Sequence, residues 1–256
     1  MIAGWQIGIT LVALGTWEYL VRNGVASAFF FGQPSRIFAY LLASTADGYL
    51  VKHTWVTLYE EILGFGIGTA VGTAFGLALW WSPYLSRVLE PFAVVLNATP
   101  KIVVAPILVF WFGIGLTSKV MIAVLICAIV AWLGAFDGWR NADGDQMDMV
   151  RAIGGRSWDV FSKIVMPSSL RWILATARIN IGLALIGVIT GEFLSSTQGL
   201  GYLVEYSSEE YHMSQTLAAI VVIAVLAMVQ LHLVNWIEKK LFAWAYEPEH
   251  AMEFIS

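Results

Sequence analysis

Charged residues are scarce in this chain, and that scarcity excludes an ordinary water-soluble protein. Only 12% of its 256 residues are charged, whereas 59% are apolar. Soluble domains usually carry about 25% charged residues, which cover the surface that faces water. The mean hydropathy of +0.74 agrees with this imbalance, and the 12 tryptophans and 14 phenylalanines suit the interfaces of a bilayer. The composition therefore predicts an integral membrane protein in contact with lipid.

Several kinds of site are missing from the sequence as well. Cys127 is the only cysteine, which excludes a disulfide, a cysteine-based zinc site and a thiol redox pair within one chain. The net charge of −4 argues against a nucleic-acid partner, which normally requires a basic face. No glycine loop of the G-x-x-x-x-G-K-S/T type and no hydrolase or metalloprotease motif occurs. We therefore expect no ATP hydrolysis by this chain alone, no catalytic residues, no metal and no cofactor.

Six segments are long and apolar enough to be read as membrane spans, which need about 20 residues each. They cover residues 2–17, 62–81, 92–112, 120–136, 172–193 and 216–236. An even number of spans places both termini on one side. With cytoplasmic termini, the inner segments hold eight basic residues and the outer segments four, which the positive-inside rule favours. The sequence thus predicts one all-α, multi-pass domain over residues 1–256 in the cell (inner or plasma) membrane, with both termini in the cytoplasm.

The second predicted span carries a regular series of glycines. Gly64, Gly68, Gly72 and Gly76 recur every four residues and therefore lie on one face of a helix. Such a face lets another helix approach closely. Packing within the chain is the expected use of this face, and a contact with another subunit is the alternative.

The longest polar stretch, residues 138–171, lies between the fourth and fifth predicted spans. Typical connections are about 4–6 residues long, so a segment of this length indicates a function of its own. Apolar residues recur in it at helical spacing, and Gly154 and Gly155 permit a sharp turn. Ser157 is expected to cap a second short helix, and Pro167 is expected to end it. The prediction is a pair of amphipathic helices that can dock into a groove of a partner.

This polar stretch resembles the EAA loop of the permease subunits of ABC importers, which are driven by ATP and depend on a solute-binding protein. The family pattern reads E-A-A-x-x-x-G, then nine residues, then I-x-L-P. Here the glycine is Gly154, and after nine residues come Ile164 and Pro167. The positions that depart from the pattern hold Asp148, Met149, Val150 and Met166 in place of Glu, Ala, Ala and Leu.

Further motifs of the same family follow in order along the chain. Pro34-Ser35 with Ile37 is similar to its P-S-P…V/I segment, and the run PILVFWFGIG at 106–115 is similar to P-L-x-x-x-W-F-G-x-G. GEFL at 191–194 and GLGYL at 199–203 resemble A-E-x-L…G-L-G-Y-L. The resemblance covers roughly residues 30–240 and is strongest to the nitrate, sulfonate and taurine branch. That branch also includes permeases for pyrimidine vitamin precursors and riboflavin.

The resemblance implies a type I importer fold in which two permease subunits, expected here as a homodimer, enclose the path of the solute. Two cytoplasmic ATPase subunits would bind the ATP and dock on the loop, and an external solute-binding protein would deliver the cargo. The residues expected to couple to the ATPase are Asp148, Arg151, Ala152, Gly154, Ser157, Ile164 and Pro167. The alternative is a secondary transporter driven by an ion gradient, which predicts inverted repeats; none is visible in the sequence.

Polar residues inside the predicted spans are candidates for the path of the solute, because they are costly in a bilayer. The candidates are Lys101, Asn97, Thr99, Glu192 and Asn180. An ammonium at Lys101 would suit an anionic cargo such as a sulfonate or nitrate. The expected cargo is therefore a small solute of the nitrate, sulfonate or taurine type, and a pyrimidine vitamin precursor or riboflavin is the alternative cargo. The structural alternatives are that Lys101 reaches an interface or pairs with Glu192, and that Asn180 bonds to its own helix.

Several acidic residues are expected to face water. Glu60 and Glu61 flank the second predicted span and are placed among the lipid headgroups. Glu205, Glu209 and Glu210 form an acidic group before the sixth span. This group either pairs with basic residues of a docking binding protein or belongs to a solvated loop.

Overall fold

The computed structural model describes residues 2–241, and every regular element within that range is a helix. The α-helices are α1 (Ile2–Arg22), α2 (Ala28–Phe31), α3 (Pro34–Ala46), α4 (Tyr49–Ala78), α5 (Pro83–Ala98), α6 (Ala105–Phe112), α7 (Leu116–Arg140), α8 (Gly144–Ala152), α9 (Ser157–Val160), α10 (Met166–Ser195), α11 (Leu200–Glu209) and α12 (Met213–Leu241). Two 3₁₀ turns, Leu79–Trp81 and Lys101–Val104, and one π-helical segment, Phe161–Val165, complete the helical elements of this range. The all-α fold class is confirmed. Both chain ends that were assigned to the cytoplasm lie outside the described residues.

The long helices account for most of the predicted spans. Within residues 2–241, four segments are long and apolar enough to cross a membrane: Tyr49–Trp81, Leu116–Arg140, Ser157–Ser195 and Met213–Trp236. The broken pair Pro83–Ala98 and Lys101–Phe112 makes a fifth if it counts as one bent span. These five contain the second to sixth predicted spans. The first predicted span falls in α1, a helix of 21 residues that is not among them. The polytopic membrane fold is confirmed, and a count of six spans requires α1.

The break in the third predicted span follows from Pro100. α5 begins at Pro83, where the missing N–H of a proline costs no helical hydrogen bond. It ends at Ala98 because Pro100 disfavours the helical conformation in the residue before it. That residue, Thr99, is extended, with φ −71° and ψ 132°. Lys101 then begins a separate 3₁₀ turn, so the polar residues of this span lie at a helix break.

The described residues form two compact units. Unit 1 comprises residues 2–61, 105–122 and 187–225, and unit 2 comprises residues 62–104, 123–186 and 226–241. In unit 1 the end of α1 is tied to the start of α3. Glu18 accepts hydrogen bonds from Gln33 Nε2 at 2.8 Å and from Ser35 N at 3.0 Å. The bond from Ser35 N satisfies one of the first backbone N–H groups of α3, which no helical carbonyl can reach.

In unit 2 the glycine face of α4 packs directly against α7. A Cβ at Gly72 would lie only 2.1 Å from Ala128 O. One at Gly76 would lie 2.5 Å from Trp132 O, and Gly68 faces the same helix. These distances are far below van der Waals contact, so the approach requires residues without a side chain. The close helix packing predicted from the glycine series is confirmed within the chain.

The helix that follows the polar loop is longer than predicted. α9, the π segment and α10 run on as one helical stretch, Ser157–Ser195, so the prediction that Pro167 ends a short helix is wrong. A proline clashes with the carbonyl four residues before it in a regular α-helix. The π turn Phe161–Val165 ends two residues before Pro167 and includes the carbonyl of Lys163, four residues before the proline. The wider bonding of a π turn avoids the clash at that carbonyl. The predicted cap is displaced as well: Arg156 is the N-cap, and Ser157 is the first helical residue.

Candidate functional site

The polar loop starts with α8, which carries the first part of the predicted ATPase contact. Asp143 caps this helix, since its Oδ1 accepts a hydrogen bond from Asp145 N at 2.9 Å. Within α8, Arg151 Nη1 and Asp148 Oδ1 form an exposed ion pair at 2.8 Å, and Ala152 is the last helical residue. Exposed pairs of this kind contribute little to stability. Both charged side chains therefore remain available to a partner.

A turn at Gly154 and Gly155 separates α8 from α9. Gly154 has a φ of +88°, which L-residues rarely adopt, although the space where its Cβ would lie is open. Gly155 is required for a different reason, because a Cβ there would lie 2.6 Å from Val150 O. The predicted sharp turn is present. Substitution of Gly154 acts through backbone conformation and not through a steric clash.

One face of the segment that follows this turn is anchored in unit 2. A single hydrophobic core unites its buried residues with α4 and α7: Leu77, Ala135, Val160, Phe161 and Val165. Burying a side chain of this size contributes about 1.5–3 kcal/mol. The start of the long helix is therefore fixed to the helices around it.

The rest of the loop exposes apolar side chains. Met149 is 68% exposed, Ile153 78% and Trp158 65%. Of the predicted coupling residues on this side, Ile164 is half-buried and Pro167 is exposed. Apolar side chains that stand exposed outside the predicted spans are typical of a protein-binding surface.

Trp81, which ends the 3₁₀ turn after α4, contacts the loop through its ring. Its ring centroid lies 4.2 Å from that of Phe161 and 6.2 Å from that of Trp158, with which it stacks at an interplanar angle of 23°. Aromatic pairs add about 0.5–1.5 kcal/mol beyond the area that they bury. Sequence reasoning missed this contact, because a tryptophan at the end of a span is typical of a bilayer interface.

Three predicted path residues meet at the break after α5. Lys101 Nζ donates hydrogen bonds to Asn97 O at 2.8 Å and to Asn97 Oδ1 at 3.1 Å. Thr99 Oγ1 donates to Val95 O at 2.8 Å. The ammonium is thus held at the C-terminal end of a helix, where the helix dipole favours a cation. Asn97 and Thr99 are exposed and Lys101 is half-buried; a place beside the solute path stays a prediction.

Asn180 is fully buried in unit 2. Its Nδ2 donates hydrogen bonds to Thr69 Oγ1 and to Cys127 O, both at 3.0 Å. Hydrogen bonds between membrane helices contribute about 0.6 kcal/mol each. These partners belong to α4 and α7 and not to its own helix, so Asn180 joins three helices. Its role in a solute path stays a prediction.

Glu192, the remaining path candidate, lies in unit 1 with no exposed surface. Its Oε1 accepts a hydrogen bond from Thr57 Oγ1 at 2.7 Å, and its Oε2 accepts one from Gly201 N at 2.6 Å. Leu200 N in turn donates to Thr57 Oγ1 at 2.8 Å. A Cβ at Gly199 would lie 2.0 Å from Glu192 Oε1, so the carboxyl occupies space that only a glycine leaves free. The G-L-G motif is thereby tied to α4 and α10.

Lys119 and Glu60 form a buried ion pair that sequence reasoning missed. Lys119 Nζ binds Glu60 Oε1 and also donates to Ser196 Oγ at 3.1 Å. Glu60 is 3% exposed and Glu61 is 2% exposed, so the expectation that both face headgroup water is wrong. The physical reason is that α4 begins at Tyr49 and not near the predicted start of the span. Both glutamates therefore lie inside a long, packed helix.

Of the acidic group before the last helix, Glu205 and Glu209 lie on α11, Leu200–Glu209, and Glu210 is the C-cap of that helix. Burial raises the pKa of the Glu205 carboxyl above its usual range, and the neighbouring Glu209 carboxylate raises it further. Among residues 2–241, no group of three or more His, Cys, Asp or Glu side chains could hold a metal ion. The acidic side chains of α11 are thus held on a helix and form no metal site.

Comparison with known proteins gives the family. Residues 64–243 match the family described as binding-protein-dependent transport system inner membrane component. SsuC of Bacillus subtilis, assigned to aliphatic sulfonates transport, is 26% identical over 94% of this chain and 88% of its own length. The taurine transport system permease TauC of Escherichia coli is 25% identical over 93% of this chain and 89% of its own length. The formylaminopyrimidine transport permease ThiX of Halalkalibacterium halodurans is 26% identical over 91% of this chain and 93% of its own length.

The fold agrees with solved transporters. A chain of the MetNI methionine ABC transporter, in an inward-facing conformation, aligns with a TM-score of 0.66 at 17% identity. The alignment covers 75% of this chain and 95% of that chain. The predicted type I importer fold is confirmed, and the family is one of transport proteins and not of enzymes. The chain therefore belongs to the binding-protein-dependent transport system inner membrane components, the permease subunits of ABC importers.

Proposed function

We propose that this permease pairs with a second copy of itself to form the path for a small anionic solute, and that its polar loop docks an ATPase. The observation that carries the docking site is the division of the loop into two faces. Phe161 and Val165 hold one face in the core of unit 2, while Met149, Ile153 and Trp158 stand exposed. An apolar face on a rigid support suits a groove in a partner.

This assignment sets the orientation and the partners. Residues 138–171 and both termini face the cytoplasm, where the ATPase subunits bind ATP. A solute-binding protein docks on the opposite side. Because the loop is continuous with α10 through Ser157–Ser195, a displacement of the docked segment moves that helix. Coupling of this kind requires an element with two arrangements that both sites bias.

The proposed cargo is an alkyl sulfonate or an amino sulfonate. It rests on two relatives, SsuC and TauC, whose names refer to aliphatic sulfonates and taurine. ThiX, named for formylaminopyrimidine, is similarly related, so a neutral pyrimidine is the competing cargo. The ammonium of Lys101 supports the anion, because it is half-buried and its observed hydrogen bonds go to an uncharged residue.

The docking role is tested at Gly154. A valine there has to adopt a φ of +88°, which costs about 1–3 kcal/mol and distorts the turn between α8 and α9. We expect Gly154→Val to lose uptake driven by ATP in proteoliposomes and to retain less ATPase on purification. Gly144→Ala is the matched control, since Gly144 has open space and no positive φ. Normal uptake by Gly154→Val would contradict the docking site.

The cargo is tested in two steps. A ligand screen on the cognate solute-binding protein, with sulfonates, taurine, nitrate and formylaminopyrimidine, identifies the solute. Uptake of that solute is then measured with Lys101→Met, which we expect to abolish transport of an anion while the ATPase complex still assembles. Lys52→Met, at an exposed position, serves as the control. Unchanged uptake in Lys101→Met would remove Lys101 from the path.

A further inference from the structure

Unit 1 buries more negative than positive charge beside the turn at residues 196–201. Glu60 is 3% exposed, Glu192 0% and Lys119 5%. If both carboxyls were ionised, these three groups would carry one surplus negative charge. An uncompensated buried charge costs several kcal/mol, and such a group changes its protonation state in preference to remaining charged.

One oxygen atom of this cluster indicates where a group that offsets the surplus negative charge belongs. Lys119 binds Glu60 Oε1, but no donor among the described residues reaches the buried Glu60 Oε2. Besides Lys119, the side chain of Glu60 interacts with the carboxyl of Glu192, whose oxygens already accept hydrogen bonds from Thr57 and Gly201. Two carboxyls can form a hydrogen bond with each other only when one of them carries a proton.

The other titratable groups around the cluster do not supply the missing positive charge. His53 Nδ1 lies 3.0 Å from Gly199 N and 3.1 Å from Gly199 O, so it accepts from the N–H in one tautomer and donates to the carbonyl in the other. Both contacts go to the backbone of the turn and not to the carboxyls of Glu60 and Glu192. Glu61, the neighbour of Glu60 on α4, is buried and has interactions of its own. Lys119 is thus the cation that faces Glu60 and Glu192 from the packed helices of unit 1.

We propose that Glu60 and Glu192 bind one proton between them, so that the turn at 196–201 closes over α4 without a buried net charge. The proton is taken from the buffer: an O–H bond forms on one carboxyl, and the other carboxyl accepts its hydrogen bond. A cavity of about 340 Å³ lies on the Glu60 side of the cluster, whereas Glu192 does not line it. Its lining includes Glu60, Lys119 and residues 195–198.

The test is infrared spectroscopy of the complete complex of permease, ATPase and binding protein at neutral pH. A protonated carboxyl has a C=O stretching band that a carboxylate lacks, and this band shifts when H₂O is replaced by D₂O. We expect the band in the wild type and its loss in both Glu60→Gln and Glu192→Gln, because each leaves one carboxylate balanced by Lys119. Glu61→Gln is the matched control, because it changes a neighbouring buried glutamate outside the proposed pair. This variant should keep the band.

A second variant covers the case in which neither glutamine variant yields a folded complex. Thr57→Val removes one hydrogen bond to Glu192 and should shift the frequency of the band without abolishing it. Absence of the band in the wild type would overturn the proposal, since His53 or a bound cation would then supply the charge. Persistence of the band in both glutamine variants, or an unshifted band in Thr57→Val, would overturn it too.

Discussion

Replacement of Gly72 by alanine tests the helix packing of unit 2 most directly. The new Cβ would lie 2.1 Å from Ala128 O, which is 1.3 Å closer than the 3.4 Å at which ordinary van der Waals contact begins. A backbone carbonyl cannot rotate away as a side chain can, so α7 itself has to move. Overpacking of this kind costs about 1–3 kcal/mol, and the movement also weakens the hydrogen bond from Asn180 to Cys127 O, worth about 0.6 kcal/mol. We expect the free energy of unfolding to fall by about 2–4 kcal/mol.

The assay is reversible unfolding in mixed micelles with increasing SDS, followed by tryptophan fluorescence. Gly66→Ala is the matched control, because Gly66 lies on the same helix with nothing within 4 Å of its missing Cβ. Alanine is a better helix former than glycine by up to about 1 kcal/mol, so this control should be as stable as the wild type or more so. Equal stability of the two alanine variants would refute the close contact between α4 and α7.

Four further substitutions test other contacts. Lys119→Met leaves a buried carboxylate without its partner and should lower the free energy of unfolding by about 3–5 kcal/mol in the same SDS titration. Gly199→Ala places a Cβ at a φ of +119° and 2.0 Å from Glu192 Oε1. It should lower the free energy of unfolding by at least about 1–3 kcal/mol through backbone strain. The measurement is amide hydrogen exchange, which should become faster in the turn after α10. Phe161→Ala opens a cavity in the core of unit 2 and should lower the free energy of unfolding by about 3–5 kcal/mol. Trp158 is exposed, so Trp158→Ala should lower it by no more than about 1.5 kcal/mol. The same variant should reduce the amount of ATPase that co-purifies with the permease.

Local patterns in the sequence were sufficient for the fold class and for the position of the polar loop. Apolar runs long enough to span a bilayer predict helices whatever surrounds them, because no other backbone structure within one segment satisfies its own hydrogen bonds in lipid. The glycine series that includes Gly72 and the glycine pair at Gly154 were recognisable for a similar reason. Each acts through its own backbone or its own helix face, so spacing along the chain is enough to identify it.

Contacts between distant segments were decided only by the tertiary structure. Glu60 and Lys119 are 59 positions apart, and sequence reasoning placed the glutamate in water because a charge near the end of an apolar run is normally solvated. Pro167 was expected to end a helix by a local rule, but packing of Phe161 and Val165 holds the helix together across it. Composition and spacing thus determined that the chain is a helical membrane protein with one large polar loop. Which charges are buried, and which helix ends are held, depends on the groups that pack around them, because desolvation and packing energies belong to the neighbourhood of a residue and not to its place in the sequence.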